Sequence, residues 1–226
     1  MMNEWQILTK HLSRFWNLVS IAVSRYRCRH CGRDAELLGG ACMDFALDLA
    51  VTIVSVAVVG FYAWSLRGHF SSPEMPDGTK IISASVITTT LFFLFLIWFR
   101  EQSVELRIAG LAIEVTSAAL FWWAISASRN AQLRYAFDPE GPRGLVTTGP
   151  YRYLRHPFYT SYVIFWSGWA LATGSIWAIV PVVAFLVLYL TAAKDEERKF
   201  ANSPMAADYD AYRRRTGLLF PRLTRG

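Results

Sequence analysis

Gly149-Pro150-Tyr151-Arg152-Tyr153-Leu154-Arg155-His156-Pro157-Phe158-Tyr159 opens an apolar hairpin that ends in Lys194-Asp195-Glu196-Glu197-Arg198. Pro157 suits a helix start, because its missing N–H would be unpaired in the first turn anyway. When the two arms, 158–173 and 176–193, pack antiparallel, the Arg, His and two Tyr residues of one end meet the carboxylate pair of the other at a single membrane face. A core helix needs no such arrangement, so function is sought here first.

The rest of the chain supports a bilayer setting. Of 226 residues 54% are hydrophobic, including nine Trp, fifteen Phe and ten Tyr, and the mean hydropathy is +0.27. A hydrocarbon core roughly 30 Å thick takes about 20 apolar residues in a spanning helix. Segments 44–66, 81–99, 107–127, 158–173 and 176–193 answer that description. The expected fold is therefore all-α, a polytopic membrane bundle of about five transmembrane helices with an amphipathic C-terminal tail. Residues 1–40 form an interfacial, Cys-containing section, with Trp5, Leu8, Leu12, Phe15, Trp16 and Val19 at helical spacing. Residues 41–127 hold three spans, and residues 128–226 hold two spans, the tail and both polar clusters. No cleavable signal peptide is evident.

The net charge of +6 does not point to nucleic acid, because the Arg residues flank apolar spans instead of forming a stripe. Arg129, Arg134, Arg143, Arg152 and Arg155 share a side with Lys194, Arg198, Lys199 and Arg213 to Arg215. The positive-inside rule places that side in the cytoplasm. This predicts a multi-pass protein, in the inner membrane if bacterial, with its site facing the cytoplasm. The basic N-terminal section pulls the other way.

Acids just after a span sit badly with the negative end of the helix dipole. Unless the helix continues into the tail, Asp195, Glu196 and Glu197 need a partner, and Arg155 or a cationic ligand would supply one. Tyr151 and Tyr159 would add aromatic faces toward a cation. The plainer alternatives are an interfacial Arg/His/Tyr anchor and a solvated charge run.

In their order, Gly144-Leu145-Val146-Thr147-Thr148-Gly149-Pro150-Tyr151, Arg155-His156-Pro157-Phe158-Tyr159, Glu196-Glu197, Tyr209, Tyr212 and Phe220-Pro221 resemble the isoprenylcysteine carboxyl methyltransferase family. Related membrane enzymes methylate phospholipid amines. The resemblance covers the segment from Arg143 to Pro221. It implies a membrane enzyme using S-adenosylmethionine without the Rossmann domain of soluble methyltransferases, and the chain has no GxGxxG loop. By position, Arg143, Gly144, Leu145, Val146, Tyr151, His156 and Tyr159 would line the cofactor pocket, with Glu196 contacting the cofactor and Glu197 beside it. Arg155, His156 and Glu197 would carry the catalytic roles. Two positions depart from the pattern: Ser161 where a Gly is frequent, and Ala192 where prenylcysteine enzymes place an Arg suited to the substrate carboxylate.

The implied reaction is in-line attack on a methyl carbon, in which positioning supplies most of the catalysis. The acceptor is a lipophilic small molecule or lipid: a prenylcysteine-like carboxylate, a phospholipid amine or another small lipophile. An amine acceptor must be neutral, with His156 or Glu197 taking a proton. Two other readings stay open: an NADPH-dependent membrane reductase on a related scaffold, and a non-enzymatic sensor or assembly protein. Cys28 and Cys31 have half the ligands of a structural zinc site. With only Cys42 and His11 nearby, no metal site is assigned, although a homodimer would complete one. Glu114 lies inside the third span, where an acid is costly, and Thr88 to Thr90 are the expected partners.

Overall fold

A computed structural model describes residues 35–69, 77–129 and 145–222. Its helices are α1 (Ala35–His69), α2 (Asp77–Phe99), α3 (Val104–Ser128), α4 (Pro157–Ala172), α5 (Ile179–Ala201) and α6 (Ala206–Arg215), with 3-10 turns at Gly149–Arg152 and Ile176–Ala178. Among the described residues no strand forms, and one isolated parallel bridge joins Leu154 to Gly217. The protein is an all-α polytopic membrane bundle. The interfacial section expected before α1, with Cys28 and Cys31, lies outside the described residues.

Four segments are long and apolar enough to cross a membrane: Cys42–Ser65, Ile82–Phe99, Val104–Ser128 and Ile176–Ala201. The fifth expected span is shorter. At 16 residues, α4 extends about 24 Å at 1.5 Å per residue, less than a full hydrocarbon core. It still runs the bundle from end to end, because it is central and its neighbours shield it. Phe165, Trp166 and Trp169 are buried. At its far end Gly174 turns the chain back with φ 58, within 3.7 Å of Gln102 Cγ and 3.5 Å of Leu106 Cδ1 if it carried a Cβ.

Side-chain pairs fix the helix directions. Arg107 on α3 pairs with Asp44 and Asp48 on α1, Glu114 with Ser55 and Ser117 with Tyr62, so α1 and α3 run parallel. Trp98 donates to Thr52 at 3.1 Å, which sets α2 antiparallel to α1. Helices α3 and α4 cross closely through glycine: a Cβ on Gly110 would lie 2.6 Å from the Gly168 carbonyl and 2.7 Å from Ala172 Cβ. Small residues permit such approach where no hydrophobic effect drives helices together. The outward faces keep large apolar side chains exposed, among them Ile53, Leu91, Phe95, Ile108, Val115 and Val187, as lipid contact requires.

Two expectations about single residues need correction. Glu114 is fully buried, but its partner is Ser55 Oγ at 2.8 Å, not Thr88 to Thr90. Thr88 bonds its own helix through Ala84, because α3 turns Glu114 toward α1 and not toward α2. Helix α5 also does not stop before the acids. It continues to Ala201, so Glu196 and Glu197 sit within a helix and the dipole penalty at its end is not theirs.

Candidate active site

The site is built where α4 begins and α5 leaves the hydrocarbon. About 20 residues cross the apolar layer, so the charged run Lys194 to Lys199 marks the emergence of the last turns of α5. Upstream, Gly149 adopts φ 58 against the end of α3; a Cβ there would lie 2.6 Å from Ala127 Cβ. The left-handed turn swings the chain into the 3-10 turn, and Pro157 then starts α4 with His156 as N-cap.

Side chains from both helices meet at this end. Arg155 Nε donates to Glu197 Oε1 at 2.5 Å. His156 Nδ1 lies 3.2 Å from Glu196 Oε2, and its Nε2 lies 3.8 Å from Glu197 Oε1, the latter beyond hydrogen-bond reach. Tyr159 donates to Glu196 Oε1 at 2.6 Å. Its ring lies between His156, stacked at 5.5 Å, and Tyr189, stacked at 5.6 Å. Glu196 is the open member, with its side chain 27% exposed against 12% for Glu197 and 8% for His156.

Electrostatics divide the two glutamates. Burial would raise the Glu197 pKa, but the nearby His156 and the hydrogen bond and charge of Arg155 bring it down to about 2. Burial opposes a charged His156, yet the close contact with Glu196 and the charges of Glu196 and Glu197 outweigh it and raise its pKa above the ordinary value. The surroundings therefore favour the charged forms of both groups, and Glu197 in particular is a poor base.

The sequence did not disclose the part played by the tail. The main chain of Thr216 to Leu219 lies along the motif: Gly217 N donates to Tyr153 O at 3.0 Å, Arg155 N to Gly217 O at 2.8 Å and His156 N to Leu218 O at 3.3 Å. Thr160 Oγ1 adds a bond to Leu219 O at 3.0 Å. Tyr212, on α6, donates to Tyr151 O at 2.8 Å, and Tyr209 stacks on Phe200 at 4.5 Å. The three-residue spacing of Tyr209 and Tyr212, which puts both on one helix face, was the available signal.

The structure thus gathers Arg155, His156, Tyr159, Glu196 and Glu197. Tyr151 is buried in the 3-10 turn beside them. Leu145 and Val146 are half-buried in the segment entering the turn, and Val146 packs on the core. Arg143 and Gly144 lie outside the described residues. Three buried polar atoms of this region, His156 Nε2, Tyr151 Oη and Tyr209 Oη, have no hydrogen-bond partner among the described residues. Buried polar groups are ordinarily paired, so these donors and acceptors suit a polar ligand.

The fold and site define a multi-pass membrane protein with a charged side-chain cluster where two of its helices meet. Residues 106–204 match the phospholipid methyltransferase family, and this stretch overlaps the one that resembles the isoprenylcysteine enzymes. The nickel-cobalt-cadmium resistance protein NccN of Alcaligenes xylosoxydans xylosoxydans is 38% identical over 82 residues, covering 35% of this chain. The matched stretch spans 37% of that relative's length.

Proposed function

We propose that the protein is an integral-membrane methyltransferase that uses S-adenosylmethionine to methylate a lipophilic acceptor. The carrying observation is the open carboxylate of Glu196, hydrogen-bonded by Tyr159 beside the unpaired polar atoms of His156 and Tyr151 within the segment that matches the family, and of Tyr209 just after it. Together with Glu197 and the aromatic faces of Tyr151 and Tyr159, these groups fit a ligand with a sulfonium, an ammonium and a carboxylate. When bound, that cofactor supplies a methyl group already activated by its positive sulfur.

The protein's own groups bind and orient. Glu196 offers negative charge to the cationic end, and Tyr159 holds that carboxylate in place. His156 keeps a proton at Nδ1 toward Glu196, leaving Nε2 for a polar group of the ligand. With Glu197 held at about 2, the site is suited to positioning and poor at proton abstraction. An acceptor that arrives with a free electron pair needs nothing more. The acceptor reaches the site from the bilayer, and membrane lipids bound the rest of the molecule. The basic residues at this end favour a cytoplasmic site, in the inner membrane if the host is bacterial.

Calorimetric titration of the detergent-purified protein with S-adenosylhomocysteine tests the reading. Saturable binding that Glu196→Ala abolishes is the expected outcome. A response to NADPH with none to S-adenosylhomocysteine would move the chain to the reductases. Silence toward both, in a folded protein, would leave the non-enzymatic reading.

A further inference from the structure

We propose that Arg155 is a positioning residue, which locks the strap Thr216–Leu219 and Glu197 into one arrangement so that the strap forms a wall of the site. For its ligand-binding arm the proposal rests on the function proposed above; its structural arm stands alone.

One guanidinium serves both partners. Its Nε bonds Glu197, and its Nη1 bonds the carbonyls of Arg213, at 3.2 Å, and Thr216. Those carbonyls close the C-terminal end of α6, where acceptors lack partners within the helix and attract cations. The Arg155 main chain joins the same strap through Gly217 O. With its side chain 9% exposed, Arg155 is committed to the protein, whereas Glu196 faces outward. A lysine has no fork with which to bridge a carboxylate and two carbonyls at once.

The strap has its own constraint at Gly217. A Cβ there would run into the Phe220 carbonyl and lie 3.2 Å from Arg222 N. Both obstacles are backbone, so a side chain at 217 must shift the turn and with it the bonds to Tyr153, Arg155 and His156. Leu219 and Thr216 are buried, as a docked wall requires. A change at Arg155 and a change at Gly217 therefore release the same contact from opposite sides.

A double-mutant cycle on the full chain tests this, with Arg155→Lys, Gly217→Ala and the double variant compared for S-adenosylhomocysteine binding and for trypsin cleavage in the Arg213–Arg215 run. Each single change is expected to weaken binding about tenfold, the loss typical of a charged hydrogen bond, and to speed cleavage. The double variant should be no weaker than either single one, because both have already freed the strap. In Arg155→Lys, the acid-side fall in affinity should also move to higher pH, because Glu197 loses one of the groups that hold its pKa down, a shift that general destabilisation would not produce. Additive losses, or unaltered cleavage in Arg155→Lys, overturn the proposal. If the wild type does not bind S-adenosylhomocysteine, the proposed function fails, and the cleavage comparison still decides the lock. Thermal unfolding of each variant identifies any that fail to fold, and Arg155→Gln then replaces Arg155→Lys.

Discussion

His156 and Glu197 give the site opposite responses to acid and alkali. Glu197 has a lowered pKa, so its contribution to stability is fully present above 4.5 and is lost as the pH falls toward about 2. His156 has a raised pKa, so its contribution is complete below 6.5 and is lost as the pH rises through its folded value. The expected thermal midpoint is therefore highest between pH 4.5 and 6.5, and His156→Gln should remove the alkaline decline while the acid one persists in weaker form, since Arg155 still holds Glu197. A pH series of unfolding curves checks both limbs; an unchanged alkaline limb in the variant would remove His156 from the account. The sequence disclosed the members of this cluster because their types and order match a known pattern. Which glutamate stays open was not legible there. That depends on adjacent residues of one helix pointing about 100° apart, Glu196 toward Tyr159 and Glu197 toward Arg155.

Between helices, the cost of burying charge organises the bundle. Arg107 is buried with Asp48, while Asp44 closes the group from a more open position. Removing one partner of such a group leaves an unpaired charge, which costs about 3–5 kcal/mol. Arg107→Ala should lower stability by that order in denaturant titration of the detergent-solubilised protein, and a loss below about 1 kcal/mol would mean that water reaches the pair. Apolar run length located α1, α2, α3 and α5 in the sequence, since lipid exposure demands a long uniform stretch. It also located α4 to within a residue at each end, but not that this short helix is enclosed by its neighbours. The pairing of Arg107 with the α1 acids was also out of reach, because it requires knowing that α1 and α3 run parallel.

Across the whole molecule, the connectivity sends α3, α4 and α5 back and forth between two opposite ends. The Gln102 and Ser175 loops lie at one end, and the Arg155–Glu197 site lies at the other. In a variant whose natural cysteines are replaced, single cysteines at Gln102 and Ser175 should react with an impermeant thiol reagent from one side of sealed vesicles. A cysteine at Asp195 should react only from the other, and same-sided labelling would break the topology. The broad plan, helices joined by short polar links, was readable from composition and turn residues. The return of the tail was not, because the tail is held mainly through its main-chain carbonyls and amides, which leave little residue-type signal in 216–219. That return has a consequence for biosynthesis. Thr216 to Leu219 follow all six helices in chain order, so the ribosome delivers the whole bundle to the membrane before it delivers the stretch that bonds to Tyr153, Arg155 and His156. A nascent chain can thus be fully inserted while the start of α4 still lacks these contacts, which come only with the stretch that emerges last among these elements.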